Sequence, residues 1–354
     1  MFSYDYFNVL ESCWDRLKQT SLPIYIYGMG DGCEKILRVF NTCNIKCSGI
    51  FASDEFLRGQ EFAGFKVCSY GDVKEKNDKF VVVPAFGTSL SEVMKRIESI
   101  ADEQDVIMPD VPVIGKEVFS KEKFLENFHK VNRVYELLAD EQSRKVFESV
   151  FIYKITGNIR TLKRVFTMPD EVYSNILKFD DKEIYVDLGA FTGDTVKEFL
   201  SHTNNQYEKI YAFEPDKKNF RKCVKNLLSL DNIELFNSAV WEKDQVRIFS
   251  GNAGRQGKLS DAGKTVLCRS VDSVLNGRPC TYIKYDVEGA EKAAINGSRN
   301  TLERYSPKLC AAVYHRAYDM IDIPLQINEI NPEYKIFMRQ YSYYPAWETN
   351  VFCI

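Results

Sequence analysis

The chain has 354 residues, enough for two domains that each bury a sizeable core. Its 47 basic and 50 acidic residues give a net charge of −3, and the absence of a long basic run argues against a nucleic-acid partner. No apolar run approaches the ~20 residues that cross a bilayer, and the amino terminus lacks the regions of a signal peptide. The ten cysteines are scattered without Cys-x-x-Cys pairs, as in a reduced protein. These features predict a cytoplasmic protein with no membrane span.

Residues 1–116 predict a small α/β domain of the Rossmann-like type. An apolar strand over 23–28 leads through the turn Gly28-Met-Gly-Asp-Gly32 into a helix over 33–43. Further strands are predicted at 46–53, 65–68, 79–85 and 105–108, with a helix over 89–100. Because strands alternate with helices, the sheet is expected to be parallel.

The role of the first glycine turn stays open at this point. Gly28, Gly30 and Gly32 do not have the Gly-x-Gly-x-x-Gly spacing of dinucleotide sites, although Asp54 follows at a distance suited to a ribose hydroxyl. NAD, a sugar nucleotide or similar ligand, and a structural or assembly role are the alternatives.

Residues 117–180 predict a helical linker or cap. Phe124, Phe128, Val131 and Tyr135 recur at helical spacing, and a second apolar set follows within 146–151. Such stripes usually form core, so we expect this segment to pack between the domains or over a cofactor.

Residues 181–354 contain the most informative motif. The run Glu183-Ile-Tyr-Val-Asp-Leu-Gly-Ala-Phe-Thr-Gly-Asp-Thr195 predicts a strand that ends at Asp187, a small-residue turn, and a helix from Asp194. Glycines in the turn let the backbone approach a ligand, and the helix N–H groups point to the same spot. A strand over 209–213 then ends at Glu214, which is placed to accept hydrogen bonds from the two hydroxyls of an adenosine ribose. The motif therefore predicts an adenosine cofactor.

The remaining elements predict a mostly parallel sheet. Strands are expected at 233–240, 281–288 and 308–315, with helices between several of them. Two last strands, at 333–341 and 350–354, are joined by a short turn and predict a closing antiparallel hairpin. This order is typical of class I methyltransferases.

Five motifs, in this order, resemble those of FkbM-type methyltransferases. They are Val-Asp-Leu-Gly-Ala-Phe-Thr-Gly-Asp-Thr, Ala-Phe-Glu-Pro-Asp, Asn-Ser-Ala-Val-Trp, Arg-Ser-Val-Asp-Ser-Val and Ile-Lys-Tyr-Asp-Val-Glu-Gly-Ala-Glu. The resemblance covers about residues 125–354 and departs from the commonest methyltransferase turn at Phe191, where a glycine is usual. It implies S-adenosyl-L-methionine as cofactor and O-methylation of a small-molecule or glycan acceptor. With the additional amino-terminal domain, a sugar, free or nucleotide-linked, is favoured over a polyketide-like acceptor or another methylated atom.

The resemblance also implies a cofactor site. The methionine end and the turn would be held by Asp187, Gly189, Ala190, Phe191, Gly193 and Thr195. Glu214 and Pro215 would bind the ribose, Ser238, Ala239 and Val240 would flank the adenine, and Asp286 would border the methyl group.

The strand over 281–288 is the predicted seat of chemistry. Lys284, Asp286 and Glu288 alternate along it, so their side chains are expected on one face. Lys284 would compensate a buried carboxylate, or Asp286 would accept the hydroxyl proton or orient the acceptor. No metal is predicted, because Asp286 and Glu288 lack a clear third ligand.

His315 is predicted at the carboxyl end of another strand, where ligands bind in open α/β sheets. Its unperturbed pKa near 6.5 suits a general base. In the glycine-rich loop over 251–264, Arg255 or Lys258 would meet a phosphate, whereas Asp216 and Asp272 are expected to cap helices. A cofactor-binding scaffold without catalysis is the alternative from another class. The oligomeric state stays open, a homo-oligomer included.

Overall fold

The computed structural model of the protein describes residues 2–249 and 264–354. Arg255 and Lys258 lie outside these residues. The chain divides into a first unit of residues 1–132, 144–166 and 340–348 and a second unit of residues 133–143, 167–339 and 349–354. The helical segment over 117–180 is shared between the two units, and the domain limits 1–116, 117–180 and 181–354 stay a prediction.

The described strands are numbered in chain order. They are β1 (Ile24–Tyr27), β2 (Gly49–Phe51), β3 (Glu61–Phe62), β4 (Phe65–Lys66), β5 (Val81–Pro84), β6 (Asp105–Val106), β7 (Ile184–Leu188), β8 (Lys209–Phe213), β9 (Ile233–Phe236), β10 (Ala239–Val240), β11 (Gln245–Phe249), β12 (Lys264–Arg269), β13 (Tyr282–Tyr285), β14 (Lys308–Ala312), β15 (Ile336–Gln340) and β16 (Thr349–Cys353).

The described helices are numbered in the same way. They are α1 (Tyr4–Asn8), α2 (Cys13–Gln19), α3 (Asp31–Cys43), α4 (Tyr70–Lys76), α5 (Ser91–Glu103), α6 (Lys121–Glu126), α7 (Phe128–Leu137), α8 (Glu141–Thr156), α9 (Ile159–Lys163), α10 (Pro169–Val172), α11 (Asp194–His202), α12 (Lys217–Leu227), α13 (Val271–Leu275), α14 (Glu291–Asn296), α15 (Arg299–Tyr305) and α16 (Asp319–Ile330). The described residues also form a 3₁₀ turn (Asp54–Phe56) and a π turn (Tyr173–Leu177). In the described part of the chain, no helix combines the length and the hydropathy of a membrane span.

The first unit contains a parallel sheet in the order β2-β1-β5-β6, which confirms the predicted parallel α/β arrangement. Alternate apolar residues of β1 and β5 pack with Ile36 and Phe40 of α3 in its core. The strand predicted at 65–68 joins the sheet only at its end: β4 pairs antiparallel with β3 in a two-stranded hairpin, whereas Cys68 forms a single parallel bridge with Phe51 of β2.

The second unit contains a seven-stranded sheet in the order β15-β16-β14-β13-β7-β8-β9. The strands from β14 to β9 are parallel, and β16 runs antiparallel to β14. This confirms the predicted parallel sheet with closing antiparallel strands. Within its core, the rings of Tyr185 and Tyr282 stack at 4.8 Å between centroids, and Phe199 of α11 lies 4.6 Å from Tyr185. The carboxyl ends of β7, β8, β13 and β14 therefore meet at one edge of the sheet.

Two predicted strands are shorter than expected. The segment 233–240 is two strands in different sheets, since β9 ends at Phe236 and β10 pairs with β12. Between them the Asn237 side-chain amide donates to the carbonyl of Glu214 at 2.9 Å, which ties the bend to the end of β8. The segment 281–288 ends as a strand at Tyr285, because Glu288 adopts a left-handed φ of 52° and Gly289 follows at 85°. Strand alternation therefore does not extend from Lys284 to Glu288.

The two aspartates predicted to cap helices do so. Asp216 Oδ1 accepts hydrogen bonds from the backbone N–H groups of Lys218 at 2.9 Å and Asn219 at 3.0 Å, at the start of α12. Asp272 accepts instead from the backbone of Asn300 and Thr301, at 3.0 and 2.9 Å, and so serves the start of α15 rather than its own helix. Both side chains satisfy N–H groups that a helix leaves unpaired.

Candidate active site

The turn after β7 approaches β13 too closely for any residue but glycine. Gly189 has a φ of 106°, and a Cβ at this position would clash with the backbone carbonyl oxygen of Asp286. The N–H groups of Gly189 and Ala190 both donate to the carbonyl of Phe213, at 3.1 and 2.9 Å. The turn is therefore held between the ends of β8 and β13.

The rest of the turn leads into α11. Phe191 takes a left-handed φ of 47° and is 51% exposed, so the larger residue at this position projects outward rather than filling the turn. Gly193 has a φ of 87°, and a Cβ there would crowd the side chain of Leu227. α11 then begins at Asp194, and Thr195 in its first turn faces back to β7.

Asp187 lies at the last-but-one position of β7 and is fully buried. Its Oδ2 accepts a hydrogen bond from the Thr195 hydroxyl, whereas Oδ1 has no hydrogen-bond partner among residues 2–249 and 264–354. Burial raises the pKa of Asp187 to about 6, against the opposing effects of Lys284, Thr195 and Tyr185. The site thus holds a carboxylate with one oxygen available for a ligand.

Glu214 follows β8 directly and is 7% exposed. Its Oε1 accepts a hydrogen bond from the Asp216 backbone at 2.7 Å. Burial raises its pKa to about 7, although the backbone N–H groups of Asp216 and Phe191 act in the opposite direction. Pro215 next to it is exposed and accepts from Asn237 at 3.2 Å.

Ser238, Ala239 and Val240 lie just past the bend between β9 and β10. Ser238 and Val240 are buried, and Ala239 is half-buried. The Ser238 hydroxyl is buried and has no hydrogen-bond partner in the described part of the chain. The bend, which the sequence did not indicate, turns these residues out of the line of β9.

Lys284 and Asp286 form an ion pair at the end of β13. Lys284 Nζ lies 2.8 Å from Asp286 Oδ2, and Lys284 is the register partner of Asp187 on β7. Burial disfavours the charged lysine, but the carboxylates of Asp286 and Asp187 raise its pKa above the usual value. The pKa of Asp286 is lowered despite desolvation, because Lys284 and His315 stabilise its charge. Lys284 thus forms an ion pair with Asp286, and its charge also acts on Asp187.

His315 lies three residues beyond β14 and is 1% exposed. Its Nε2 lies 3.6 Å from Asp286 Oδ1 and 3.6 Å from Glu288 Oε2, so the structure brings all four predicted catalytic residues together. The carboxylate side chain of Glu288 is 69% exposed. The Tyr314 hydroxyl donates to Asp286 Oδ1 at 3.4 Å.

Sequence reasoning missed two buried acids behind His315. Glu291, at the start of α14, places Oε1 2.9 Å from His315 Nδ1, and Asp319 starts α16. Burial, and then the charge of Glu291, raise the pKa of Asp319 to about 7. Glu291 was visible as the last residue of the motif Asp286-Val-Glu-Gly-Ala-Glu291, but nothing local showed that it would reach a histidine 24 positions later.

Other predicted features lie outside this cluster. Asp54 is exposed at the start of a 3₁₀ turn. The helix that follows Gly28, α3, begins at Asp31, so its first turn carries an acidic side chain. A ligand for the first unit stays a prediction. Within the described residues, no three histidine, cysteine, aspartate or glutamate side chains are arranged to hold a metal ion.

The methyltransferase FkbM domain model matches residues 187–343, a range that starts at Asp187 and contains every residue of the cluster. A search of curated proteins found no match. Among solved structures, methyltransferase FkbM from Methylobacillus flagellatus KT is similar with a TM-score of 0.75 and 18% identity, over 99% of this chain and 97% of that one.

Two further solved structures are similar at a lower level. An rRNA methylase from Streptococcus thermophilus has a TM-score of 0.36 and 15% identity, over 53% of this chain and 96% of that one. Precorrin-6y C5,15-methyltransferase from Geobacter metallireducens GS-15 has a TM-score of 0.32 and 13% identity, over 51% of this chain and 84% of that one. Residues 187–343 thus match the methyltransferase FkbM domain model, and the chain has the fold of the solved methyltransferase FkbM.

Proposed function

We propose that the protein is an S-adenosyl-L-methionine-dependent O-methyltransferase that acts on a hydroxyl of a sugar or glycan. The observation that carries the proposal is the unpartnered, buried Oδ1 of Asp187 beside a glycine turn, with Glu214 at the end of the next strand. An isolated buried acceptor is costly, so its presence favours a ligand that donates to it.

The residues present suit this cofactor. Asp187 would accept from the ammonium group of its methionine part, and Glu214 would accept from the two ribose hydroxyls. The Ser238 hydroxyl, which is buried without a hydrogen-bond partner among the described residues, would lie beside the adenine and bind it. When bound, the cofactor would supply a methyl group that its positively charged sulfur already activates. The protein then has to align the acceptor, exclude water and receive one proton.

Asp286 is the residue best placed to receive that proton. Its side chain is 33% exposed, its Oδ2 is occupied by Lys284, and its Oδ1 faces Tyr314 and His315. A carboxylate cannot deprotonate an alcohol beforehand, since their unperturbed pKa values differ by about ten units. Asp286 would therefore orient the acceptor hydroxyl and take its proton late in the transfer.

A sugar acceptor is favoured by the groups around Asp286. The exposed carboxylate of Glu288 adds acceptors for neighbouring hydroxyls. The half-buried ring of Tyr314 offers an apolar surface to a sugar ring. A polyketide-like acceptor, another methylated atom or a scaffold without turnover are the alternatives that the experiments below distinguish.

The first experiment is a calorimetric titration of the protein with S-adenosylhomocysteine. We expect micromolar binding in the wild type and in Glu242→Ala, an exposed control in the same unit, and at least a 100-fold loss in Glu214→Ala. The variant is expected to lose both ribose hydrogen bonds, and charge-assisted bonds contribute about 1.5–3 kcal/mol each. If the wild-type protein does not bind S-adenosylhomocysteine, the proposed cofactor is wrong.

The second experiment measures methyl transfer from radiolabelled S-adenosylmethionine to panels of glycans, nucleotide sugars and polyketides. Asp286→Asn is expected to keep cofactor binding and to lose about 10²–10⁴-fold in kcat, the usual contribution of a positioned general base. Turnover of polyketides alone would overturn the sugar assignment. Cofactor binding without turnover of any acceptor would favour the scaffold.

A further inference from the structure

Each ring nitrogen of His315 has at least one carboxylate oxygen nearby. Its Nδ1 lies 2.9 Å from Glu291 Oε1, and Nε2 lies 3.6 Å from Asp286 Oδ1 and from Glu288 Oε2. The imidazole is 1% exposed and lies 4.3 Å from the Tyr314 ring, measured between centroids. The ring is thus enclosed, with carboxylates at both nitrogens.

Glu291 is buried, and the backbone of the preceding turn fixes its carboxylate. It is 1% exposed, and its Oε1 accepts backbone hydrogen bonds from Val287 at 3.0 Å and Gly289 at 3.2 Å. Backbone N–H donors stabilise the ionised form of a buried carboxylate. The turn that presents them includes Glu288 at a φ of 52°, a strained conformation of the kind that clusters at functional sites.

We propose that Glu291 is a positioning residue that keeps His315 as an imidazolium, so that His315 holds the ionised carboxylate of Asp286 and does not remove the acceptor's proton. This inference rests on the proposed function, in which Asp286 receives that proton. The proton passes from the acceptor oxygen to Asp286 as the oxygen–carbon bond forms. The carbon–sulfur bond breaks at the same time and leaves its electron pair on sulfur.

Acidic residues that follow or start three elements lie around His315. Asp286 and Glu288 follow β13, Glu291 starts α14 and Asp319 starts α16. Two cations lie nearby, but Lys284 is paired with Asp286, and Arg316 directs its Nε to the carbonyl of Gly289 at 2.9 Å. Burial lowers the pKa of His315, yet Glu291, Asp286 and Glu288 together raise it to about 9. An imidazolium has no free lone pair, so a base role at neutral pH conflicts with this environment.

The decisive measurement needs no substrate. The chain has three histidines, so ¹⁵N NMR of the imidazole nitrogens resolves few signals, and a His315→Gln variant assigns the one of interest. We expect His315 of the wild type to be protonated at pH 7.5 and to titrate near pH 9. In Glu291→Gln the midpoint should fall by at least one pH unit, whereas Glu329→Gln, whose side chain is 77% exposed, should leave it unchanged.

Two results would overturn the inference. One is a neutral His315 at pH 7.5 in the wild type, which would contradict the proposed imidazolium even if no Glu291 variant folds. The other is an unchanged midpoint in a folded Glu291→Gln protein. Glu291→Asp keeps the charge and should keep the imidazolium, so it separates electrostatics from packing.

Kinetics supply a second, independent readout. An imidazolium that must stay protonated makes kcat fall as pH rises past its midpoint, and Glu291→Gln should move this fall to lower pH. A histidine base would instead make kcat rise through its midpoint. Absence of all turnover would count against the proposed function, while the NMR titration would still test the state of His315.

Discussion

Glu214 combines a binding role with an expected cost in stability, and its replacement by glutamine should separate the two. The side chain is 7% exposed, and burial raises its pKa from 4.5 to about 7. Glutamine has nearly the same shape and keeps an oxygen that accepts from the Asp216 backbone. It removes the charge and, with it, one of the acceptors proposed for the ribose hydroxyls.

The sign and size of the stability effect follow from the pKa shift. Because the folded-state pKa is raised, the ionised form is disfavoured in the fold. The penalty is absent below about pH 4.5, grows as pH rises to about 7, and is complete above that. At 1.36 kcal/mol per unit, the full penalty is about 3 kcal/mol. Between pH 5 and pH 8.5, the free energy of unfolding of Glu214→Gln relative to wild type should therefore rise by roughly 2–3 kcal/mol.

Urea unfolding at both pH values, followed by circular dichroism, measures this difference. The transition that S-adenosylhomocysteine shifts in the wild type marks the unit containing the site. Comparing two pH values cancels any constant cost of burying the amide. Glu242→Gln, an exposed glutamate of the same unit, should show a change below about 0.5 kcal/mol.

A Glu214→Gln protein whose relative stability does not change between pH 5 and pH 8.5 would refute the reasoning. It would mean that Glu214 is solvated or is paired with a cation in solution. A gain in stability with undiminished affinity for S-adenosylhomocysteine would refute the binding role alone.

Three further predictions address neighbouring features. Gly189→Ala should lower the free energy of unfolding by at least 2 kcal/mol, whereas Gly64→Ala, which has a positive φ but open space, should lose only about 1–2 kcal/mol in the same denaturant titration. Lys284→Met should lower the free energy of unfolding by about 3–5 kcal/mol at pH 7.5 and by less at pH 5, since the buried carboxylate of Asp187, whose pKa is about 6, loses a nearby cation; an equal loss at both pH values would contradict this. Binding of S-adenosylhomocysteine at pH 6.5 should release a proton from Glu214 and so give heats that depend on the buffer, an effect that should vanish at pH 8.5.

The local patterns of the chain predicted much of the second unit. The strand, glycine turn and helix over 183–195 were readable because each residue type there has a local reason, such as the positive φ of Gly189 and the apolar run of β7. The parallel sheet with its closing antiparallel strands was predicted from the alternation of strands and helices along the chain, whereas the order of the strands in the sheet was not predicted. The break between β9 and β10 was not readable from the sequence, because the side chain of Asn237 at the break donates to the carbonyl of Glu214, a residue that lies 23 positions earlier and follows β8.

The sequence by itself determined which groups are present at the strand ends, namely Asp187, Glu214, Asp286 and His315, because strand periodicity and turn residues are local properties. Only the tertiary structure decided their protonation. His315 changes from an expected base to an expected cation because Glu291 of α14 lies 2.9 Å from its Nδ1, and Asp286 and Glu288 each lie 3.6 Å from its Nε2. A pKa depends on burial and on charges within a few ångströms, and those neighbours are assembled by long-range packing that no local pattern encodes.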